Sequence, residues 1–238
     1  MKKINLLVLV VLSFHLFVVS SFADPSSITV RGESELKIPA DRAVISVAVI
    51  SEAKTSSQAL IINSEQVEKV MNAIKRAGLD EKEISTGQFT ISPRWSQRPR
   101  QAPEDWRAMI VGFKVTNQLQ VKTVKLDLVG ELVAAAVQAG GNEISGLRFD
   151  LADPRQYRHE AIREATRRAK EDARVLADAT GASLGRILTL NLDDARTIPV
   201  AAPRAIFAEA AVSRMAPPVL PGDVTVHAAV IVVYELNQ

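Results

Sequence analysis

The pattern of apolar residues predicts an α+β fold: a mixed, largely antiparallel sheet with three helices, built from repeated β-α-β units. Three observations carry this expectation. Ala43, Ile45, Val47 and Val49 alternate while Val44, Ala48 and Ile50 fill the other parity, the mark of a central strand apolar on both faces. Val129, Leu132, Val133, Ala136 and Val137 recur at i, i+3, i+4, i+7 and i+8, the period of an amphipathic helix. After the first strand, segments of these kinds follow in the order β-α-β-β-α-β-α-β-β, and the first six repeat one unit twice.

The chain opens with a targeting pattern. Lys2 and Lys3 precede a mostly apolar run, Ile4 to Val19, and Ser21-Phe22-Ala23 supplies small residues for signal peptidase. This is the layout of a secretory signal peptide cut after Ala23, which leaves residues 24–238 as one domain. An uncleaved anchor is the alternative, but the run falls short of the ~20 residues that span a bilayer. Removing the two lysines leaves 27 basic and 27 acidic residues, so the mature chain has no net charge to favour polyanions. Cysteine is absent, which excludes disulfides, thiol chemistry, Cys-ligated metals and a lipoprotein anchor.

The mature elements follow in order. Ile28, Val30, Leu36 and Ile38 mark a pair of extended segments ending at Pro39. Thr55-Ser56-Ser57-Gln58 reads as a capping box, and Leu60, Val67, Val70, Met71 and Ile74 form the apolar stripe of a helix that stops at Gly78. Phe89 and Ile91 mark a strand. Val111, Phe113, Val115, Leu119 and Val121 alternate with polar residues in a half-buried strand. The second helix ends at Gly140-Gly141, and Leu147, Phe149 and Leu151 form the next strand. Asp153-Pro154 caps a third helix that runs to Thr180 and stops at Gly181. Leu188, Leu190 and Leu192, then Val224 to Leu236, are the closing strands.

Two stretches read as long loops: residues 92–108, with three prolines, four arginines and both tryptophans, and the Ala- and Pro-rich residues 195–222. Loops of this length in a compact domain tend to be functional or interfacial. Arg94, Trp95, Arg98, Arg100, Trp106 and Arg107 form the one aromatic–basic cluster, the candidate interface or binding loop, because Trp and Arg are favoured at interfaces. Single-strand nucleic-acid binding by stacking is the other chemistry of such a cluster. The secretory signal argues against it, so no nucleic-acid partner is expected.

Other motifs are weaker. Gly181-Ala182-Ser183-Leu184-Gly185 matches G-x-S-x-G, but a nucleophile elbow follows a strand and precedes a helix, and here the order is reversed. The mature chain has two histidines, His159 on a charged helix and His227 in mid-strand, with no paired-ligand spacing. No phosphate-binding glycine motif occurs, and no metal or cofactor is expected. The third helix carries Glu160, Glu164, Glu171 and Asp172 among seven basic residues; Glu160–Arg163, Glu164–Arg168 and Arg168–Asp172 are spaced at i, i+3 or i, i+4 for ion pairs on a solvated face. Ala161, Ala165, Ala169, Ala173 and Ala177 recur every four residues and suit close approach, in the core or at a subunit contact.

This third helix, with Leu176-Ala177, Gly181 and Leu184-Gly185 after the alanine repeat, resembles the signature helix of the SIMPL-domain family, in particular its bacterial periplasmic members (the oxidative-stress defence and periplasmic immunogenic proteins). Ile28-x-Val30-x-Gly32 followed by Pro39-Ala40-Asp41 is similar to the family's opening. Gly112-Phe113, Ala139-Gly140-Gly141-Asn142 and Ile144-Ser145-Gly146-Leu147-x-Phe149 resemble its centre, and Pro221-Gly222 its close. The likeness spans nearly all of residues 27–237. It implies an α+β fold, periplasmic residence, homo-oligomerisation into particles that are large and ring-like in some relatives, and an association with oxidative-stress defence. It offers no catalytic residues. The 92–108 loop departs from the family in carrying tryptophans where relatives tend to have tyrosine.

The resulting expectation is a non-enzymatic, oligomeric periplasmic protein that supports envelope or stress defence indirectly. A monomeric secreted module binding a ligand or an envelope component is the first alternative, and a secreted hydrolase using Ser183 the second.

Overall fold

A computed structural model describes residues 26–201 and 219–237. The expected signal peptide and most of residues 195–222 lie outside them. Among the described residues there are three α-helices and eight strands. The strands are β1 (Ser27–Pro39), β2 (Arg42–Ala53), β3 (Ile84–Trp95), β4 (Ile110–Thr123), β5 (Glu143–Asp150), β6 (Ser183–Ile198), β7 (Val200–Ala201) and β8 (Asp223–Asn237). The helices are α1 (Ser56–Arg76), α2 (Val129–Gln138) and α3 (Pro154–Ala179).

The fold is α+β with antiparallel pairing, and its strands divide between two sheets rather than one. A three-stranded sheet has the order β1-β8-β6 and a five-stranded sheet the order β3-β4-β2-β5-β7. Every pairing among them is antiparallel. The repeated unit seen in the sequence is the second sheet: β2-α1-β3-β4-α2-β5 with the four long strands ordered β3-β4-β2-β5, the split β-α-β arrangement.

Each sheet is covered by its own helices. On the five-stranded sheet α1 packs over β2 and β4, with α2 beside it. Thr55 caps α1, its hydroxyl oxygen accepting from Gln58 N at 3.2 Å. The buried stripe of α1 is Ala59, Asn63, Val67, Val70 and Ile74. Leu60, expected in this stripe, is exposed instead, because α1 turns the smaller Ala59 onto the sheet. Asn63 is fully buried and its side-chain amide donates to the Val49 carbonyl at 2.9 Å. On the three-stranded sheet α3 lies alone, and all five alanines of its repeat are fully buried. Their period serves the core of this chain: alanine lets the helix axis approach the sheet closely.

The sequence reading needs three further corrections. The opening pair of extended segments is one continuous 13-residue strand, β1, paired with β8 along its whole length. Residues 92–95, expected as loop, belong to β3; its Pro93 is tolerated because β3 is an edge strand. Residues 195–198, also expected as loop, continue β6, where Ala195 and Thr197 pair with Ala228 and Val226. In both places prolines and small residues outweighed a long-range register that no local pattern displays.

The chain crosses from one sheet to the other at Pro39-Ala40-Asp41. Asp41 donates from its backbone N to the Asp150 carbonyl at 3.2 Å, and its carboxylate accepts from Ala152 N at 2.6 Å. Ala40 N donates to the Gly222 carbonyl at 3.3 Å. Arg42 Nη2 meets Asp150 Oδ2 at 2.8 Å. Asp153 then caps α3, accepting from Arg155 N at 3.1 Å, with Pro154 in the first turn. One junction thus gathers β1, β2, β5, α3 and the approach to β8.

Candidate functional site

The aromatic–basic cluster falls at the far end of the β3–β4 hairpin. The hairpin closes where Ser96 N donates to the Met109 carbonyl at 2.8 Å and Met109 N donates to Ser96 Oγ at 3.0 Å. Trp95 pairs with Ile110 and is 56% exposed. Arg94 is fixed by an ion pair with Glu52 of β2, whereas Arg98, Arg100 and Arg107 are exposed and, among the described residues, form no ion pair. Trp106 is half-buried, in a turn where its N donates to the Pro103 carbonyl at 3.1 Å. The structure therefore brings Arg94 and Trp95 onto a rigid strand and leaves the other four cluster residues on the connecting loop.

Trp95 belongs to a longer apolar row. Phe89, Ile91 and Trp95 recur with the period of two that puts them on one side of β3, and all three are exposed. Ile91 pairs with Val115, which shares its face of β4 with the core residues Leu119 and Val121. The row thus lies on the helix side of the sheet, beyond the strands that α1 covers. A second row lies on β6. Ile187, Leu190 and Leu192 pair with Tyr234, Val232 and Val230, and Val230 in turn pairs with Gly32 beneath α3. These three residues face the helix side of their sheet yet are about half exposed, because α3 covers β1 and β8 more than β6.

The opposite face of the three-stranded sheet carries an ionic ladder that sequence reasoning missed. Arg31 Nη1 reaches Asp193 Oδ2 at 2.6 Å, and its Nε meets Glu33 Oε1 at 2.7 Å. These two carboxylates raise the Arg31 pKa above its already high value. His227 Nδ1 lies 3.2 Å from Asp194 Oδ2, which Arg196 Nε also approaches at 3.2 Å. A register shift between Leu192 and Asp194 inserts Asp193 and lets consecutive aspartates serve this ladder. The partners are 162 residues apart in the first pair and 33 in the His227–Asp194 pair, so no spacing rule exposes them.

Ser183 opens β6 after α3, and its hydroxyl donates to the Asn237 carbonyl at 3.4 Å. His159 is exposed on α3. On the helix's charged face the expected Glu164–Arg168 pair forms at 2.9 Å, while Glu164 also joins Arg167 at 2.7 Å and Arg167 joins Glu171; among the described residues the expected Glu160–Arg163 and Arg168–Asp172 pairs do not form. The guanidinium of Arg167, then that of Arg168, holds the Glu164 carboxyl down at about 2. Among the described residues no group of three or more His, Asp or Glu is placed to hold a metal ion, and no helix is long and apolar enough to cross a membrane.

The motifs of the 139–149 stretch are likewise architectural. Asn142 Oδ1 accepts from Ile50 N at 2.8 Å and Asn142 Nδ2 donates to the Ile50 carbonyl at 2.7 Å, so a side chain closes the end of the β2–β5 ladder. Gly140 has φ +111°, where side-chain-bearing residues are strained.

The comparisons with known proteins agree with these motifs. The family model described as SIMPL, protein of unknown function (DUF541), matches residues 28–234. A 26 kDa periplasmic immunogenic protein of Brucella melitensis is 29% identical over 219 residues, covering 90% of this chain and 86% of the relative. The uncharacterized protein YggE of Edwardsiella ictaluri is 26% identical over 163 residues, covering 68% of this chain and 66% of the relative. YggE of Escherichia coli K12 is 23% identical over 167 residues, covering 70% and 65%.

Proposed function

The chain belongs to the SIMPL family, and from that premise we propose that it is a non-enzymatic, homo-oligomeric protein of the periplasm that supports envelope or oxidative-stress defence indirectly. The observation that carries the oligomeric part is the pair of uncovered apolar rows, Phe89-Ile91-Trp95 on β3 and Ile187-Leu190-Leu192 on β6. Both lie on outermost strands, and contiguous exposed apolar side chains mark association surfaces. A copy that buries them removes apolar area from water at roughly 25 cal/mol per Å². The periplasmic part is supported by the Brucella relatives, which are named periplasmic, and by the secretory pattern of residues 1–23.

The indirect part follows from chemistry. With no cysteine in the chain, peroxide cannot be reduced through a thiolate and its sulfenic acid. Protection then acts through assembly or through binding an envelope component. Light scattering on residues 24–238 tests the reading: a stable mass of several chains supports it, and a single-chain mass at all concentrations overturns it. Catalytic consumption of peroxide by the purified protein would overturn the non-enzymatic part.

A monomeric module that binds an envelope polymer is the second reading, favoured by Trp95 standing exposed at the base of a hairpin loop that carries the exposed Arg98, Arg100 and Arg107. It predicts that replacing Trp95 and Trp106 by alanine abolishes binding to isolated envelope while the mass stays that of one chain.

A further inference from the structure

We infer that the helix side of β6, beside α3, is a docking ledge for an acidic amphipathic helix of a different protein. The inference rests on the reading that protection acts through binding an envelope component. It names the surface used and the chemistry of the partner, and leaves the β3 row to contacts between copies.

The two flanks of α3 differ in charge. One flank borders β1: Arg168 Nη1 donates to the Glu33 carbonyl at 3.2 Å, Glu160 and Glu164 lie beside Leu36, and Asp172 and Leu176 lie beside Val30. The flank one position after each buried alanine therefore faces β6. It carries the half-buried Ile162 and Thr166, then the exposed Lys170 and Arg174. Burial pushes the Tyr234 phenol up and the charge of Arg174 acts against this, so Arg174 stands near the strand position that pairs with Ile187. With Arg158 a turn before Ile162, this flank has three cations against one acid, Asp178. Among the described residues the ion pairs of α3 all lie on Glu164, Arg167, Arg168 and Glu171, so none of the three cations is paired.

The ledge thus has an apolar floor, Ile187, Leu190 and Leu192, and a basic wall. Its shape selects a helix. Two helices, α1 and α2, share the five-stranded sheet, whereas α3 lies alone on the other, over β1 and β8. Strands lie about 4.8 Å apart, so a helix packed at the usual 8–10 Å from α3 lands over β6. A single acyl chain laid there would stay open to water on its outer side. A flat bilayer meets α3, about 10 Å across, before it reaches the floor. Three register shifts interrupt β6, which spoils its edge as a template for an added strand. An amphipathic helix uses the face instead of the edge: its apolar stripe covers the row, and acids on the side toward α3 meet Lys170 and Arg174. Charge complementarity therefore makes the partner acidic on that side.

The probe is a labelled synthetic helix of about 15 residues, long enough to cover the row. It has a leucine stripe at i, i+3 and i+4 and glutamates along one flank; its twin carries lysines there. Fluorescence anisotropy with the full mature chain should show the glutamate helix binding about tenfold tighter than the lysine helix. Lys170→Glu combined with Arg174→Glu should reverse that order. Leu190→Lys, at an exposed position, should keep its circular dichroism and weaken the glutamate helix by about tenfold. Equal affinity for the two helices, no binding of either, or a preference that the double charge reversal leaves unchanged overturns the ledge. Loss of a multi-chain mass in Leu190→Lys would overturn it by assigning the row to a second copy. Pelleting with phosphatidylglycerol vesicles that Leu190→Lys abolishes would overturn it by assigning the row to lipid. Light scattering separates this from the proposed assembly: a multi-chain wild type with no helix preference sinks the ledge alone, and a single-chain wild type that prefers the glutamate helix sinks the assembly alone.

Discussion

Gly32 of β1 lies directly beneath Ala165 of α3: a Cβ added to Gly32 would fall 2.0 Å from the Ala165 carbonyl oxygen and 2.6 Å from Ala169 N. The obstacle is helix backbone, which cannot swing aside as a side chain can. Two residues further along β1, on the same face, Ser34 Oγ donates to the Ala161 carbonyl at 2.7 Å, holding the helix at this short distance. Gly32→Ala should therefore force α3 off the sheet and cost about 3 kcal/mol or more, the upper range for overpacking, measured by urea unfolding. Gly181→Ala is the contrast. No atom lies within 4 Å of its added Cβ, but its φ is +74°, so the left-handed backbone alone should cost about 1 kcal/mol.

Asp150 couples the sheet junction to pH. Burial pushes its carboxyl pKa up, but the hydrogen bond from Arg42, the backbone N–H of Leu151 and the charges of Arg42 and Arg148 outweigh this and hold it below the usual range. A carboxyl depressed on folding adds stability above its unfolded pKa, about 4, and that stability is lost as pH falls through the lower folded value. Asp150→Asn should be less stable than wild type by about 1–3 kcal/mol at pH 7. The difference should narrow below pH 4, as read from urea midpoints across pH.

Glu164 should titrate at about 2 in carbon-detected NMR of the carboxyl groups, because Arg167 and then Arg168 hydrogen-bond its charged form. Replacing both arginines by alanine should return the midpoint toward the ordinary glutamate range. A midpoint already ordinary in wild type would show that these exposed pairs do not persist in solution.

Asn142→Ala should cost about 1 kcal/mol, since its two hydrogen bonds to Ile50 lie in contact with water. Asn142→Asp retains only the acceptor, and its loss should be comparable. Amide exchange at Ile50 should accelerate in Asn142→Ala, where the N–H loses its acceptor.

Trp95→Ala and Phe89→Ala remove exposed side chains and should leave unfolding free energy within about 0.5 kcal/mol of wild type. In the proposed oligomer they should lower the solution mass or raise the concentration at which it appears. Unchanged mass in both would place the β3 row outside the assembly contact.

Local patterns determined much of this protein on their own. The helix stops at Gly78, Gly140 and Gly181 all have positive φ in the structure, and Thr55 and Asp153 act as N-caps, though of the capping box expected at Thr55–Gln58 only the bond from Gln58 N to Thr55 forms. Such features depend on a few neighbouring residues and the fixed periods of helix and strand, so one sequence displays them. The α+β class and the alternating β-α-β order follow from the same periods. Tertiary structure alone decided that the strands form two sheets, that β1 and β8 pair over 13 positions, and that the alanine repeat packs on Gly32. It also decided that Leu60 is exposed, that Arg31 meets Asp193, and that the strongest-looking loop residues divide between a rigid strand and a hairpin tip. Pairing partners are chosen by the combined fit of distant segments, and burial depends on what those segments leave uncovered. Neither quantity is carried by residue spacing along the chain.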